Sequence, residues 1–350
     1  MRITIASLPI GTGHDIAARA LAEAMGQAGV EVHFSHHLAG PSRAHTASYF
    51  LSVRYAPWLF SRMFQWGDGA RFAWSRHRTA WRAIGSRVLP AVFEQYRPDW
   101  VVATHPFALT AWTALKANFP GLKVMGVLTD LSAHQFWWEP EADAYAVWLP
   151  EERQDLVRFG YPEQKIWDTG IPIRSIFHDD ALQFARLFDG PIVVLGGGLG
   201  IGPYHRILRD LMAFDLPVLA VCGQNERLRW QLSQQSWPAH VTIAGYVENM
   251  PEVLCASRAV VGKPGGVTAA EVCQVQVPWL LTHWIAGQEE VNRDRLTSHN
   301  LAELGDHGLV ERLAPLLVDS KARRSMLAHQ AELARPNASR DIVRRILAFQ

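Results

Sequence analysis

Residues 191–202 read PIVVLGGGLGIG, a β-branched run that passes directly into five glycines within seven residues. A strand that ends in such a turn normally opens an α/β unit. Glycine lets backbone approach a ligand closely, and the next helix aims its free N–H groups and positive end at the same point. The N-terminus repeats the plan. Arg2–Ser7 reads as a strand, Pro9-Ile10-Gly11-Thr12-Gly13-His14 as a glycine turn, and Asp15–Ala28 as a helix with apolar residues at helical spacing. Taken singly, either loop could be a tight turn without a ligand. A dinucleotide fingerprint fits poorly. Ala17 stands at the third glycine position, and His36 and His37 stand where an acid would hold a ribose.

Outward from these turns, short strands alternate with helices. In the first half, Val30–Ser35, Trp100–Thr104 and Lys123–Thr129 read as strands, and Phe107–Asn118 and Glu151–Phe159 as helices. In the second, Pro191–Leu195, Pro217–Cys222, Val241–Ile243, Ala259–Val261 and Trp279–Leu281 read as strands with helices between them. That rhythm predicts the α/β class, with parallel sheets covered by helices on both faces. Gly170, Pro172 and Gly190 punctuate a boundary within Ile171–Gly190. The expected domains are 1–172 and 173–335, followed by a helix over 336–350 that opens at Asn337-Ala338-Ser339.

A chain of 350 residues, 49% apolar, can bury two cores of ordinary size. Its 34 basic and 33 acidic side chains nearly cancel, which argues against a dedicated nucleic-acid binder. The three cysteines, Cys222, Cys255 and Cys273, lack the short spacing of a zinc or redox motif and read as reduced thiols. The N-terminus lacks the order of a signal peptide, and no apolar run approaches the roughly 20 residues needed to span a bilayer. A cytoplasmic protein is expected, lying on a membrane if it meets one.

Polar groups concentrate in two places of the second half. Lys263-Pro264-Gly265-Gly266 is a third glycine turn opening a helix, and that helix carries Glu271, whose carboxylate could accept both hydroxyls of a ribose. Gly287-Gln288-Glu289-Glu290-Val291-Asn292 packs donors and acceptors at a helix start, as sugar hydroxyls require. Each carboxylate alone could equally be a solvated helix residue or a dipole stabiliser.

With Gly245-Tyr246-Val247-Glu248-Asn249-Met250, these two stretches resemble the donor domain of monogalactosyldiacylglycerol synthases and processive diacylglycerol glucosyltransferases, in glycosyltransferase family 28. Thr129-Asp130-Leu131 with His134 and Trp137, Thr169-Gly170-Ile171-Pro172-Ile173-Arg174, and Cys222-Gly223-Gln224-Asn225 resemble further family segments, in order along nearly the whole chain. The resemblance implies the GT-B fold. Two Rossmann-like domains would face each other across a cleft, acceptor domain first, with the C-terminal helix crossing back. It implies an inverting transfer of a hexose from a UDP-sugar to a membrane lipid such as diacylglycerol. Glu271 would hold ribose and Val247 to Met250 uracil. Gly197, Gly198, Gly265 and Gly266 would face the diphosphate, with Lys263 helping. Gln288 and Glu289 would hold the sugar, with Asn225 and Asn292 beside them. The chain departs from the family at Gly11-Thr12-Gly13, where three glycines are usual before His14, and at Asp15, where a basic residue is usual.

Transfer needs an acceptor hydroxyl made nucleophilic, a task for a general base worth about 10²–10⁴ in rate. His14 is the first candidate, because imidazole titrates near neutrality, and Asp130 and His134 are the second. No Asp-x-Asp motif is present, so no metal and no cofactor is expected, the UDP-sugar being a substrate.

Val53–Arg87 interleaves Arg54, Arg62, Arg71, Arg76, Arg78, Arg82 and Arg87 with Tyr55, Trp58, Phe60, Phe64, Trp66, Phe72, Trp74 and Trp81. Arginine attracts anionic head groups and tryptophan settles at the headgroup boundary, so Arg54, Trp58, Trp66, Arg71, Trp74, Arg78 and Trp81, with Trp137, are the expected acceptor and membrane residues. The composition also suits a packed helix pair or single-stranded nucleic acid. The expected partners are a UDP-sugar donor, a lipid acceptor and an anionic membrane surface, without nucleic acid. The expected place is the inner face of the cell membrane. A UDP-sugar epimerase or hydrolase of the same fold, or a non-catalytic nucleotide-sugar binder, is the alternative.

Overall fold

The computed structural model describes residues 1–8, 12–38, 40, 71–178 and 190–349, and only the backbone of 71–77. The chain divides into two compact units. One holds Met1–Ser175, Ala286–Gln288 and Asn337–Gln350, the other Ile176–Ile285 and Glu289–Pro336.

In the first unit, β1 (Arg2–Ala6), β2 (Glu31–Ser35), β3 (Trp100–Ala103), β4 (Lys123–Val127), β5 (Ala144–Val147) and β6 (Ile166–Asp168) form one sheet in the order β2-β1-β3-β4-β5-β6. Every pairing is parallel. Strand residues alternate between two cores because successive side chains point to opposite faces. Val101, Ala103, Val124, Tyr145 and Val147 line one core, and Ile3, Ile5, Trp100, Val102, Met125 and Ala146 line the other. Both faces are covered, as a parallel sheet requires. Among the described residues its helices include α1 (Gly13–Gln27), α2 (Arg71–Tyr96), α3 (Pro106–Thr113) and α4 (Pro150–Arg158). The expected helix over 107–118 is α3 followed by a 3₁₀ turn at Ala114–Ala117.

In the second unit, β7 (Ile192–Leu195), β8 (Val218–Val221), β9 (Val241–Ala244), β10 (Ala259–Gly262), β11 (Trp279–Leu281) and β12 (Glu303–Leu304) pair in the order β12-β11-β10-β7-β8-β9, again all parallel. Between and after them run α5 (Tyr204–Leu211), α6 (Glu226–Ser233), α7 (Met250–Ala256), α8 (Gly266–Val275), α9 (Gln288–Ser298), α10 (Leu309–Leu313) and α11 (Lys321–Leu333).

The last helix, α12 (Ala338–Ala348), returns to the first unit. Its Ile342, Val343 and Ile346 are buried with Ile3, Ile5, Leu21 and Met25, and Phe349 meets Trp100 edge-on at 5.0 Å. Strands β5, β6 and β12 were not expected from the sequence. Among the described residues, no helix is long and apolar enough to cross a membrane.

Candidate functional site

Ligands of open parallel sheets bind beyond the carboxyl ends of the strands, where the strand order reverses. In the first unit that point lies between β1 and β3, and in the second between β7 and β10. The glycine loop after β7 leaves its strand at this point, and α1 opens at the corresponding point after β1; residues 9–11 of the first glycine stretch lie outside the described residues.

In the first unit, His14 opens α1. Its Nδ1 lies 2.8 Å from the main-chain oxygen of Thr104, just past β3, and 2.7 Å from Thr129 Oγ1, just past β4. A carbonyl oxygen only accepts, so the Thr104 contact places the proton on Nδ1 and leaves the lone pair on Nε2. His105 stands edge-on to His14 at 4.7 Å. Its Nδ1 accepts from the Phe107 amide at 3.2 Å, which caps α3. Burial, reinforced by His14, pushes the His105 pKa well below the usual imidazole value, so this ring is neutral.

The other base candidates differ. Asp130 is half-buried beside Thr129. His134 is buried, and its Nδ1 accepts from the Phe136 amide at 3.3 Å to cap the 3₁₀ turn Gln135–Trp137. With Nδ1 accepting, the Nε2 of a neutral His134 carries the proton, so this ring cannot take one from a substrate. Its observed role is to cap that turn.

The aromatic-basic segment needs a larger correction. Arg54, Trp58 and Trp66 lie outside the described residues, as do the side chains of Arg71 and Trp74. Trp81 is 1% exposed and stacks on Phe107 at 4.9 Å, so it is a core residue that no membrane can reach. Trp137 is likewise buried. Arg78 grips Glu139 with Nε at 2.9 Å and Nη2 at 3.2 Å, while Arg82 and Thr113 also donate to that carboxylate. Glu139 is fully buried. Desolvation raises its pKa, opposed by Arg78 and Arg82. In this part of α2 the arginines therefore serve a buried ion pair.

In the second unit, the glycine loop after β7 bends through positive φ. Gly197 has φ +68°, and a Cβ there would sit 2.7 Å from Lys263 Cε. Gly202 has φ +150°, and a Cβ there would strike the His283 ring at 2.3 Å. Lys263 follows β10 and forms an ion pair with Glu289, whose other oxygen accepts from the Ile285 amide at 2.8 Å. The pair therefore ties the lysine at the glycine loop to the carboxylate at the start of α9. Gly265 and Gly266 begin α8, and Glu271 lies buried on that helix. Val247 lies between β9 and α7 and Met250 begins α7, both partly exposed, and Gln288 is the first residue of α9.

Two expected donor-binding residues brace the backbone. Asn225 accepts from the Leu228 amide at 3.0 Å and donates to the Gly200 carbonyl at 3.2 Å, tying the glycine loop to α6. Asn292 is fully buried and donates to the Pro264 carbonyl at 3.1 Å, fixing the turn before α8. His283 was missed. Its Nε2 donates to the Ile201 carbonyl at 2.7 Å and its Nδ1 faces Thr282 Oγ1 at 3.0 Å, so it props the glycine loop from the end of β11. Burial lowers its pKa against the pull of that carbonyl. His105 was also missed. Both histidines stand directly past a strand end, and that was the available signal.

Comparison with known proteins agrees with this layout. Residues 14–173 match the family model for monogalactosyldiacylglycerol (MGDG) synthase. A processive diacylglycerol beta-glucosyltransferase of Bacillus cytotoxicus is 27% identical over 365 residues, covering 99% of this chain and 93% of the relative. Among solved structures, MurG of Acinetobacter baumannii superposes with a TM-score of 0.64 at 17% identity, over 99% of each chain. UDP-GlcNAc 2-epimerase from Neisseria meningitidis, bound to UDP-GlcNAc, superposes with a TM-score of 0.59 at 13% identity, over 99% of this chain and 100% of that one. These two likenesses speak to the fold alone.

Two doubly wound parallel sheets with glycine loops at their reversal points, and these relatives, define a glycosyltransferase of the GT-B fold. Within that class the chain is similar to monogalactosyldiacylglycerol synthases over residues 14–173 and to processive diacylglycerol beta-glucosyltransferases over nearly its whole length.

Proposed function

We propose that this enzyme transfers a hexose from a UDP-sugar to the free hydroxyl of a membrane lipid such as diacylglycerol, with inversion at the anomeric carbon. The observation that carries the reading is His14, whose Nδ1 is held by the Thr104 carbonyl so that Nε2 keeps its lone pair. The acceptor hydroxyl gives its proton to Nε2. Its oxygen forms the new bond to the anomeric carbon. The bond from that carbon to the β-phosphate oxygen breaks, and the electron pair leaves on UDP.

The second unit supplies the donor site in this scheme. The glycine-loop amides at Gly197 and Gly198, the α8 start at Gly265 and Gly266, and Lys263 stabilise the charge that develops on the diphosphate. Glu271 takes the ribose hydroxyls, the backbone of Val247 to Met250 the uracil, and Gln288 and Glu289 the sugar. No cofactor enters. We also propose that the enzyme works on the inner face of the cell membrane, drawn there by its lipid acceptor and by anionic head groups.

The test supplies radiolabelled UDP-glucose and UDP-galactose with a lipid extract and separates the products. A labelled glycolipid is expected. Free sugar, or an epimerised nucleotide sugar with no labelled lipid, would replace this reading with hydrolysis or epimerisation.

A further inference from the structure

Two half-buried rings stand close to His14 without a part in the scheme above. Phe107 occupies the first turn of α3, whose residues from Ala108 to Thr113 are all buried. It is partly exposed, although the helix it belongs to is core. Phe136 lies in the 3₁₀ turn Gln135–Trp137, between the buried Gln135 and Trp137, and is partly exposed as well. The two rings meet edge-to-face at 5.6 Å with an interplanar angle of 72°, so they form an apolar corner.

The corner is rigid. Trp81 stacks on Phe107 at 17° and is itself fixed in the core. The His105 ring meets Phe107 edge-on at 5.0 Å, and the His134 ring meets Phe136 at 4.4 Å. The turn that carries Phe136 is fixed in turn. Tyr145 donates its hydroxyl to the Trp137 carbonyl, and the Glu139 amide donates to the same hydroxyl at 2.9 Å. Both supporting histidines accept a backbone amide at Nδ1, so neither ring can turn without uncapping its helix. One step further along this contact chain, His105 touches His14. Phe107 is thus two ring contacts from the candidate base, on elements that leave adjacent strands.

Partly exposed aromatic surface one ring removed from the candidate base suits a substrate with a hydroxyl at one end and hydrocarbon behind it. A small polar alcohol such as glycerol would gain less from it, because it has little hydrocarbon to lay against the rings. We infer that Phe107 and Phe136 are specificity-determining residues of the acceptor site, and that the glycerol-linked start of an acyl chain lies against their corner. This inference rests on the proposed lipid transfer, and it names the residues that select the acceptor.

The test uses the full chain with Phe136→Ala, Phe136→Trp and Phe107→Leu. Binding of dioctanoylglycerol is measured by calorimetry, and transfer from UDP-glucose is measured with dioleoylglycerol in mixed micelles and with glycerol in solution. Loss of contact with one ring should weaken dioctanoylglycerol binding and raise the KM for dioleoylglycerol about tenfold. Turnover of glycerol and the affinity for UDP should not change, and Phe136→Trp should restore lipid binding. Unaltered dioctanoylglycerol affinity in Phe136→Ala would overturn the assignment. So would an equal loss with glycerol, which would mark the rings as mere packing. A wild-type chain that binds dioctanoylglycerol but glycosylates no lipid would sink the proposed reaction and leave the corner standing.

Discussion

His14 donates from Nδ1 to the main-chain carbonyl of Thr104 at 2.8 Å, so its tautomer is set by backbone rather than by a carboxylate. No side-chain substitution at position 104 removes that acceptor. The orientation of this imidazole is therefore set from the carboxyl end of β3.

Replacing the proposed base should separate chemistry from binding. His14→Asn can still face the Thr104 carbonyl but has no basic nitrogen. Transfer to lipid should fall by about 10²–10⁴ while UDP affinity stays within twofold of wild type. Steady-state kinetics and calorimetry check this; a variant with wild-type turnover would remove His14 from the mechanism.

Lys263→Met should weaken UDP binding about tenfold. It also leaves Glu289, whose side chain is 9% exposed, without its cation. Leaving a buried charge unpaired costs about 1–3 kcal/mol, so the melting temperature should fall as well. UDP affinity equal to wild type would mean that the lysine serves Glu289 alone.

Glu139 and Glu141 offer a paired test of burial. Glu139 is fully buried against Arg78 and Arg82, whereas the side chain of Glu141, which also meets Arg82, is 46% exposed. Glu139→Gln should destabilise by about 2–3 kcal/mol and Glu141→Gln by less than about 0.5 kcal/mol. Urea unfolding measures both, and equal losses would contradict the geometry.

The buried His105 gives stability a pH dependence with a defined sign. Its native pKa lies well below the ordinary 6.5, so the native ring resists protonation that the unfolded chain accepts. Its contribution is complete above pH 6.5 and declines as the pH falls below that value, by up to about 1.4 kcal/mol per unit. His105→Asn keeps a residue suited to capping α3 and removes the titration. Denaturation at pH 7.5 and pH 5.5 should show a smaller acid loss in the variant than in the wild type.

Much of this architecture was legible where one short segment carries the whole signal. The β7 run and the glycines after it have no other economical reading, and neither do the turn at Lys263 and the polar start of α9. Strands β5, β6 and β12 were not legible. Ala144–Val147 is built mostly of small residues, and Ile166–Asp168 and Glu303–Leu304 are too short for any period; each is a strand because a neighbour pairs with it. Trp81 and Arg78 were misread because interleaved aromatic and basic residues look alike in a membrane contact and in a helix that packs over an ion pair. Only the buried Glu139, 61 residues away from Arg78, separates the two. Asn225 and Asn292 were read as ligand groups because an amide that braces a loop has the same sequence signature as one that touches a sugar.

The return of α12 has a consequence for biogenesis. The apolar stripe of Ile342, Val343 and Ile346 closes a core whose other wall, Ile3 and Ile5, is synthesised long before it. At about 5–20 residues per second, the nascent amino-terminal half waits on the order of ten seconds or longer with that wall uncovered. Chaperone dependence during translation, and aggregation of chains truncated before α12, follow from where that single helix docks.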